Sequence, residues 1–376
     1  MLKIAVLSLA DINNYGDAFF PLVAKSELLR RIPNAEIELI TNTEYENGLY
    51  KTTAYSREYM EQFDAIILAG GELISPHDDG AFCETYGEGY YGKPSDIAHG
   101  WLDLKRPFKA WFSVGAHPVL FDYPEEVDTA LLKLNYLSVR GTISKKVLER
   151  GFIINNDKIR VMPDLGWLFP RYIDNGPSFD PWSVCGLNEN QPYIVFQAIE
   201  DLDIENHAFM IAQALTSFQN TTGIKVLLIP VMHTKKQWFE NGALQKIYNA
   251  SREITLLSER FNILETGAIL KNAKFFLGCS LHGAITLLAY GKPVVSVRDP
   301  INTKLQDLHA ARFRSVCFAN SWNIFPSVLE RLNHEAENKT DAKYAFMYAE
   351  YMRYRIDREF DNLAAQIKRH YSGEGV

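Results

Sequence analysis

Residues 275–295 read Phe-Phe-Leu-Gly-Cys-Ser-Leu-His-Gly-Ala-Ile-Thr-Leu-Leu-Ala-Tyr-Gly-Lys-Pro-Val-Val. No other stretch constrains the fold as tightly. An apolar run of strand length ends in a small-residue turn, a helix-length apolar segment follows, and Gly-Lys-Pro opens a second apolar run. Strand, helix and strand in that order imply a crossover connection and therefore a parallel sheet. The turn also delivers one imidazole, His282, to the mouth of the helix. Backbone N–H groups and the macrodipole favour anions at such a position.

The same alternation extends to both sides. Strands are expected at 2–9, 36–40, 65–69, 110–114, 136–139 and 159–162, with helices at 18–31 and 143–150. A turn-rich stretch from Asp174 to Pro192 reads as a linker. A second series then begins, with strands at 193–197, 225–230, 275–277, 294–297 and 315–318. Its helices are expected at 206–219, 236–251, 267–272, 281–290 and 322–332. From Lys343 to Tyr371 the chain reads as one helix, with Met352, Ile356, Phe360, Leu363 and Ile367 at spacings of three and four. The expected fold is α/β: two Rossmann-like doubly wound domains, residues 1–176 and 177–342, facing a cleft. Residues 343–376 form a long C-terminal helix packing back on the first domain. A length of 376 residues suits two domains.

A net charge of −7 supplies no global positive field, which argues against nucleic acid as a partner. Met1–Leu7 turns polar too quickly for a secretory leader, and no apolar run approaches the roughly 20 residues that span a bilayer. Cys83, Cys185, Cys279 and Cys317 show no metal-ligand spacing, as expected of a reducing compartment. A soluble cytoplasmic protein is the expectation. Arg353, Arg355, Arg358, Lys368 and Arg369 lie beside Tyr348, Tyr351 and Tyr354, which would suit peripheral contact with the inner face of the plasma membrane. A solvated face on a packed helix is the favoured reading, because Asp357, Glu359 and Asp361 dilute the patch.

Several strand ends carry chemistry. After the first come Asn13-Asn14-Tyr15-Gly16-Asp17, where Gly16 can supply a positive φ or close approach and Asp17 can cap a helix. A Rossmann glycine fingerprint is absent, which argues against NAD-type binding. Gly70-Gly71-Glu72 ends another strand, and residues 72–101 show no periodicity. Tyr86, Tyr90, Tyr91 and Trp101 lie there among glycines, with His77, Asp78 and Asp79 nearby, a mixture suited to saccharide recognition. Metal ligation by His77, Asp79 and His99 has no specific spacing behind it. Ser138-Val139-Arg140 ends a strand with a guanidinium fork suited to carboxylate or phosphate. Asp164, after Met162-Pro163, can orient a partner or cap a loop. His233 follows the strand at 225–230, and Arg298 and Lys304 flank the strand at 294–297. Lys304 is the better candidate to complete an anion site, since Arg298 can pair with Asp299.

In order, these segments resemble the polysaccharide pyruvyl transferase family. The resemblance rests on Asn14-Tyr15-Gly16-Asp17, Ile67-Leu68-Ala69-Gly70-Gly71, Ser138-Val139-Arg140, Gly151 and Pro163-Asp164. It continues through Ile229-Pro230 with His233, Gly278-Cys279-Ser280-Leu281-His282-Gly283, Gly291-Lys292-Pro293-Val294 and Lys304. It implies a GT-B-like fold and transfer of a pyruvyl group from phosphoenolpyruvate to a saccharide, usually as a cyclic ketal. His282 would be the acid or an electrostatic stabiliser, and Arg140 would bind the donor's carboxylate or phosphate. Ser280, Leu281, Gly283, His233 and Lys304 would complete the donor site. Asn14, Gly16, Asp17, Gly70, Gly71, Glu72 and Asp164 would face the acceptor, a nucleotide- or lipid-linked saccharide. No cofactor and no metal is implied, and the oligomeric state is left open. Two positions depart from the family's pattern: Ser280 stands where an arginine is common, and Glu72 where many members carry a third glycine. A carboxylate at 72 would repel a donor anion at close range and could serve as a base for an acceptor hydroxyl. The rival expectations are a GT-B glycosyltransferase using a nucleotide sugar and a non-catalytic saccharide-binding protein.

Overall fold

The computed structural model describes residues 1–73, 97–116, 131–151, 156–199, 204–232, 240–257, 261–296, 308, 316–318 and 322–373. The first sheet contains β1 (Lys3–Leu7), β2 (Glu36–Thr41), β3 (Tyr45–Glu46), β4 (Lys51–Ala54), β5 (Ala65–Ala69), β6 (Phe108–Val114), β7 (Tyr136–Val139) and β8 (Ile159–Val161). Their order is β3-β4-β2-β1-β5-β6-β7-β8. β1 pairs in parallel with both neighbours, Ile4 standing opposite Ile37 of β2 and Ala65 of β5. Among the described residues only β3–β4 is antiparallel. β5 and β6 are buried along their whole length, as strands covered on both faces must be. The one charge inside them, Lys109, donates through Nζ to the carbonyls of Leu102 and Leu104.

Helices α1 (Tyr15–Arg31), α2 (Arg57–Met60) and α3 (Thr142–Gly151) belong with this sheet. The short strands β3 and β4 escape sequence reading because neither carries an apolar run. Next come α4 (Phe169–Ile173), α5 (Pro181–Val184), α6 (Ile204–Thr222), α7 (Glu240–Ala250), α8 (Ile263–Asn272) and α9 (Leu281–Ala289). They accompany β9 (Tyr193–Phe196), β10 (Lys225–Leu228), β11 (Thr255–Leu256), β12 (Phe276–Gly278), β13 (Val294–Ser296) and β14 (Val316–Phe318). The second sheet is ordered β11-β10-β9-β12-β13-β14 and every described pair is parallel. Helices α10 (Phe325–Glu335) and α11 (Lys339–Ser372) close the series. The chain is thus α/β, with two Rossmann-like units and a long terminal helix.

One compact unit comprises Met1–Leu165 and Met352–Val376, the other Gly166–Tyr351. The division falls at 165/166 rather than at the expected 176/177, for a physical reason. α4 packs on α8 and α9, while Asp174 holds Lys271 Nζ at 2.6 Å and accepts the Tyr290 hydroxyl at 2.8 Å. The stretch read as the start of a linker is therefore tied to the second unit. Residues 339–351 of α11 also count with that unit, where the Tyr348 ring meets Trp167 edge-on at 5.5 Å.

From Met352 onward α11 packs into the first unit. Met352, Ile356, Phe360, Leu363 and Ile367 are all buried, and the Phe360 and Phe112 rings lie 4.5 Å apart. Arg31, at the end of α1, binds Glu27 and Asp361 at 2.6 Å each and lies over the Phe360 ring. Tyr136 donates to Glu359, which Arg160 also engages at 3.0 Å. Arg355 donates to the Val161 carbonyl and Lys368 to that of Arg31, so two of the cations considered for a membrane face are engaged within the unit. Among the described residues no helix is long and apolar enough to cross a membrane. Phe360→Ala should cost about 3–5 kcal/mol, the usual range for emptying a buried aromatic site. Urea unfolding measures it, and a loss below about 1 kcal/mol would contradict this packing.

Candidate functional site

In the first unit the candidate side chains lie at the carboxyl ends of the parallel strands. Past β1 the chain turns through Asn13, whose φ of 56° is left-handed. Asn14 then accepts the Gly16 N–H at 3.0 Å and caps α1. This corrects two expectations: the positive φ belongs to Asn13 rather than Gly16, and the cap is Asn14 rather than Asp17. Gly16 and Asp17 both lie in the first turn of α1.

Past β5, Gly70 has a φ of +67°, and a Cβ there would fall 2.4 Å from the Phe20 ring. The turn thus needs glycine for its backbone and for its packing. At Gly71 the equivalent point lies 3.3 Å from Asp17 Oδ1, which sets that carboxylate beside the turn. The Gly115 N–H donates to the Gly71 carbonyl at 2.7 Å, joining the ends of β5 and β6.

β6 ends irregularly. Ser113 has a φ of 58°, and the β6–β7 register shifts between Trp111 and Val114. Ser138 Oγ accepts the Ser113 N–H at 3.0 Å, while Ser113 Oγ donates to the Pro163 carbonyl at 3.1 Å. This bulge carries Gly115 under the Arg140 side chain: a Cβ there would lie 2.5 Å from Arg140 Nε. On that ledge, Arg140 Nη2 binds Glu72 Oε2 at 2.7 Å and Nη1 lies 3.7 Å from Asp164 Oδ2. The Arg140 side chain is 8% exposed, Glu72 15% and Asp164 6%. The structure thus assembles Glu72, Arg140 and Asp164 into one buried ionic cluster. Burial of this kind makes the loss of one partner costly, because the other charges stay behind.

In the second unit the corresponding position follows β12. Ser280 caps α9 by accepting the Gly283 N–H at 3.1 Å. Gln197, just past β9, places Oε1 at 2.9 Å from the Cys279 N–H and 3.1 Å from that of Ser280. Three N–H donors at this helix mouth are therefore used internally, those of Ser280 and Gly283, expected to greet an anion, and that of Cys279. Leu281 and His282 are buried in the first turn, where the His282 carbonyl accepts the Thr286 hydroxyl at 2.7 Å. Gly283 lies so close to Phe276 that a Cβ would approach the ring to 2.7 Å.

Lys292, in the Gly-Lys-Pro motif, donates to the carbonyls of Lys271 and Ala273 at the end of α8, the latter at 2.6 Å. Burial, with the Lys271 charge adding to it, lowers its pKa to about 8. It acts as a strut. His233, Lys304, Arg298, His77, Asp78, Asp79, Tyr86, Tyr90 and Tyr91 lie outside the described residues. Trp101, expected among the saccharide-facing aromatics, is instead fully buried and donates its indole N–H to the Ile97 carbonyl.

Sequence reasoning missed Gly115, Ser113 and Gln197. Only Gln197 left a signal, as the amide closing the apolar run Tyr193–Phe196. Gln197→Met should lose about 1–3 kcal/mol in urea unfolding, since one buried and one half-buried N–H group would lose their acceptor. Wild-type stability would contradict that role. Gly115→Ala should lift Arg140 off both carboxylates. A crystal structure of the variant with the Glu72–Arg140 contact intact would count against the ledge.

A family model described as polysaccharide pyruvyl transferase matches residues 14–299. The chain belongs to that family. No curated protein matches by sequence. Among solved structures, a putative UDP-N-acetylglucosamine 2-epimerase from Listeria monocytogenes aligns with a TM-score of 0.63 at 11% identity, covering 99% of this chain and 96% of that one. The UDP-GlcNAc 2-epimerase from Neisseria meningitidis, solved with UDP-GlcNAc, gives 0.60 at 11% identity, covering 98% and 100%. A glycosyltransferase from Rickettsia africae gives 0.56 at 12% identity, covering 99% and 97%. At such identities the likeness establishes the GT-B-like fold and nothing of substrate.

Proposed function

We propose that this member of the polysaccharide pyruvyl transferase family transfers a pyruvyl group from phosphoenolpyruvate to a nucleotide- or lipid-linked saccharide, in cytoplasmic steps of cell-surface polysaccharide assembly. The observation that carries this reading is the family match, which runs through the segments of Asn14, Gly70, Arg140, Asp164 and His282. In the proposed reaction the enol carbon gains a proton and C2 becomes electrophilic. A saccharide hydroxyl adds to C2, its proton replacing the one given to the enol carbon, and the C2–O bond to phosphate breaks. A second hydroxyl then closes the ketal, its proton leaving with the phosphate.

His282 is assigned the proton donation or the stabilisation of the charge that develops. Arg140 is assigned the donor's carboxylate or phosphate. Its engagement of the Glu72 carboxylate through Nη2 at 2.7 Å supports that role, because a guanidinium that pairs with one carboxylate can pair with another anion. Ser280, Leu281 and Gly283 are assigned to the donor, with His233 and Lys304. Asn14, Gly16, Asp17, Gly70, Gly71, Glu72 and Asp164 are assigned to the acceptor.

Calorimetric titration with phosphoenolpyruvate, with UDP-sugars as controls, tests the donor. Saturable binding that weakens in Arg140→Ala and His282→Ala is expected. Silence toward phosphoenolpyruvate together with a clear UDP-sugar signal would replace this reading by a glycosyltransferase. In phosphate-release assays His282→Gln should lower kcat by about 100-fold or more, the usual contribution of a general acid. A kcat near wild type would remove the acid role.

A further inference from the structure

We infer that Glu72 is a resident carboxylate ligand of Arg140, so that an anion reaching this guanidinium must displace it, and the pair thereby sets how tightly the first unit takes its anionic substrate. The identity of that substrate as phosphoenolpyruvate rests on the proposed function, whereas the competition does not.

The guanidinium is already paired with one carboxylate and approached by a second. Its flat face rests on Gly115, with a point 2.5 Å from Nε where a Cβ would stand. Glu72 binds Nη2 at 2.7 Å and Asp164 stands 3.7 Å from Nη1. One cation already faces two carboxylates, with Asp17 beside the neighbouring turn. A further anion would enter a field of its own sign unless a carboxylate withdraws.

Glu72 is the one placed to withdraw. Its contact with Arg140 is direct, and it is the more exposed of the two, 15% against 6%. Asp164 is anchored by its neighbour Pro163, whose carbonyl accepts Ser113 Oγ. An anion then binds only the fraction of molecules in which Glu72 has let go, and its apparent affinity falls by that fraction.

Titration calorimetry with inorganic phosphate and with phosphoenolpyruvate tests this on the full chain, comparing wild type, Glu72→Gln, Glu72→Ala and Glu72→Ala/Arg140→Ala. Circular dichroism melts confirm that each variant is folded. Glu72→Ala should bind either anion about tenfold or more tightly. Glu72→Gln, which keeps the shape without the charge, should follow in the same direction, and Arg140→Ala should abolish the gain. Tightening of phosphate alone upholds the competition while removing phosphoenolpyruvate as the donor. Unchanged or weaker binding of both anions in folded Glu72→Ala and Glu72→Gln would overturn the inference, as would a gain that survives Arg140→Ala.

Discussion

Parallel pairing of strands needs a crossover between each neighbour and the next, and the crossovers cover both faces of the sheet with helices. In this chain nearly every other property descends from that requirement. Strands such as β5 and β6 are buried along their whole length, and most polar side chains are left to the loops at the strand ends. Asn14 follows β1, Glu72 follows β5, Arg140 follows β7 and Asp164 comes shortly after β8. Gln197 follows β9 and Ser280 follows β12. The gathering of chemistry at carboxyl ends is a consequence of topology before it is a matter of function.

The two units resolve the polarity of their strand ends by opposite means. The first uses charges, a guanidinium held between carboxylates on a glycine ledge. The second uses a neutral amide, with Gln197 Oε1 accepting two backbone N–H groups. The choice has an electrostatic meaning. A carboxylate in the place of Gln197 would accept the same hydrogen bonds and set a negative charge beside the mouth of α9. The amide satisfies the backbone while leaving that helix terminus its positive potential.

Most of the fold was legible in the sequence because buried parallel strands carry their signal locally. β5 at Ala65–Ala69 and β7 at Tyr136–Val139 coincide with the apolar runs that predict them. The buried stripe of α11 is equally visible, since period and packing agree at Met352, Ile356, Phe360, Leu363 and Ile367. Legibility fails where a residue's role depends on a distant partner. Nothing around Gly115 announces that Arg140 will lie on it, and nothing near Asp174 announces Lys271 and Tyr290. Trp101 misleads for the same reason: an indole among glycines suits a binding surface equally well, and only tertiary packing sends it inward. Of the site, the strand-end positions could be read, whereas the Glu72–Arg140–Asp164 cluster could not, because its members are separated by long stretches of chain.

The terminal helix also bears on the order in which the protein can mature during synthesis. The first unit is discontinuous: its core holds Phe360 against Phe112, and Arg31 finds partners at residues 357 and 361. Those residues leave the ribosome only after the whole of Gly166–Tyr351. The half of the molecule made first is therefore the half completed last, the place of Phe360 beside Phe112 unfilled while the second unit is translated. Over that interval an apolar surface that the native protein never shows is available to chaperones and to other nascent chains.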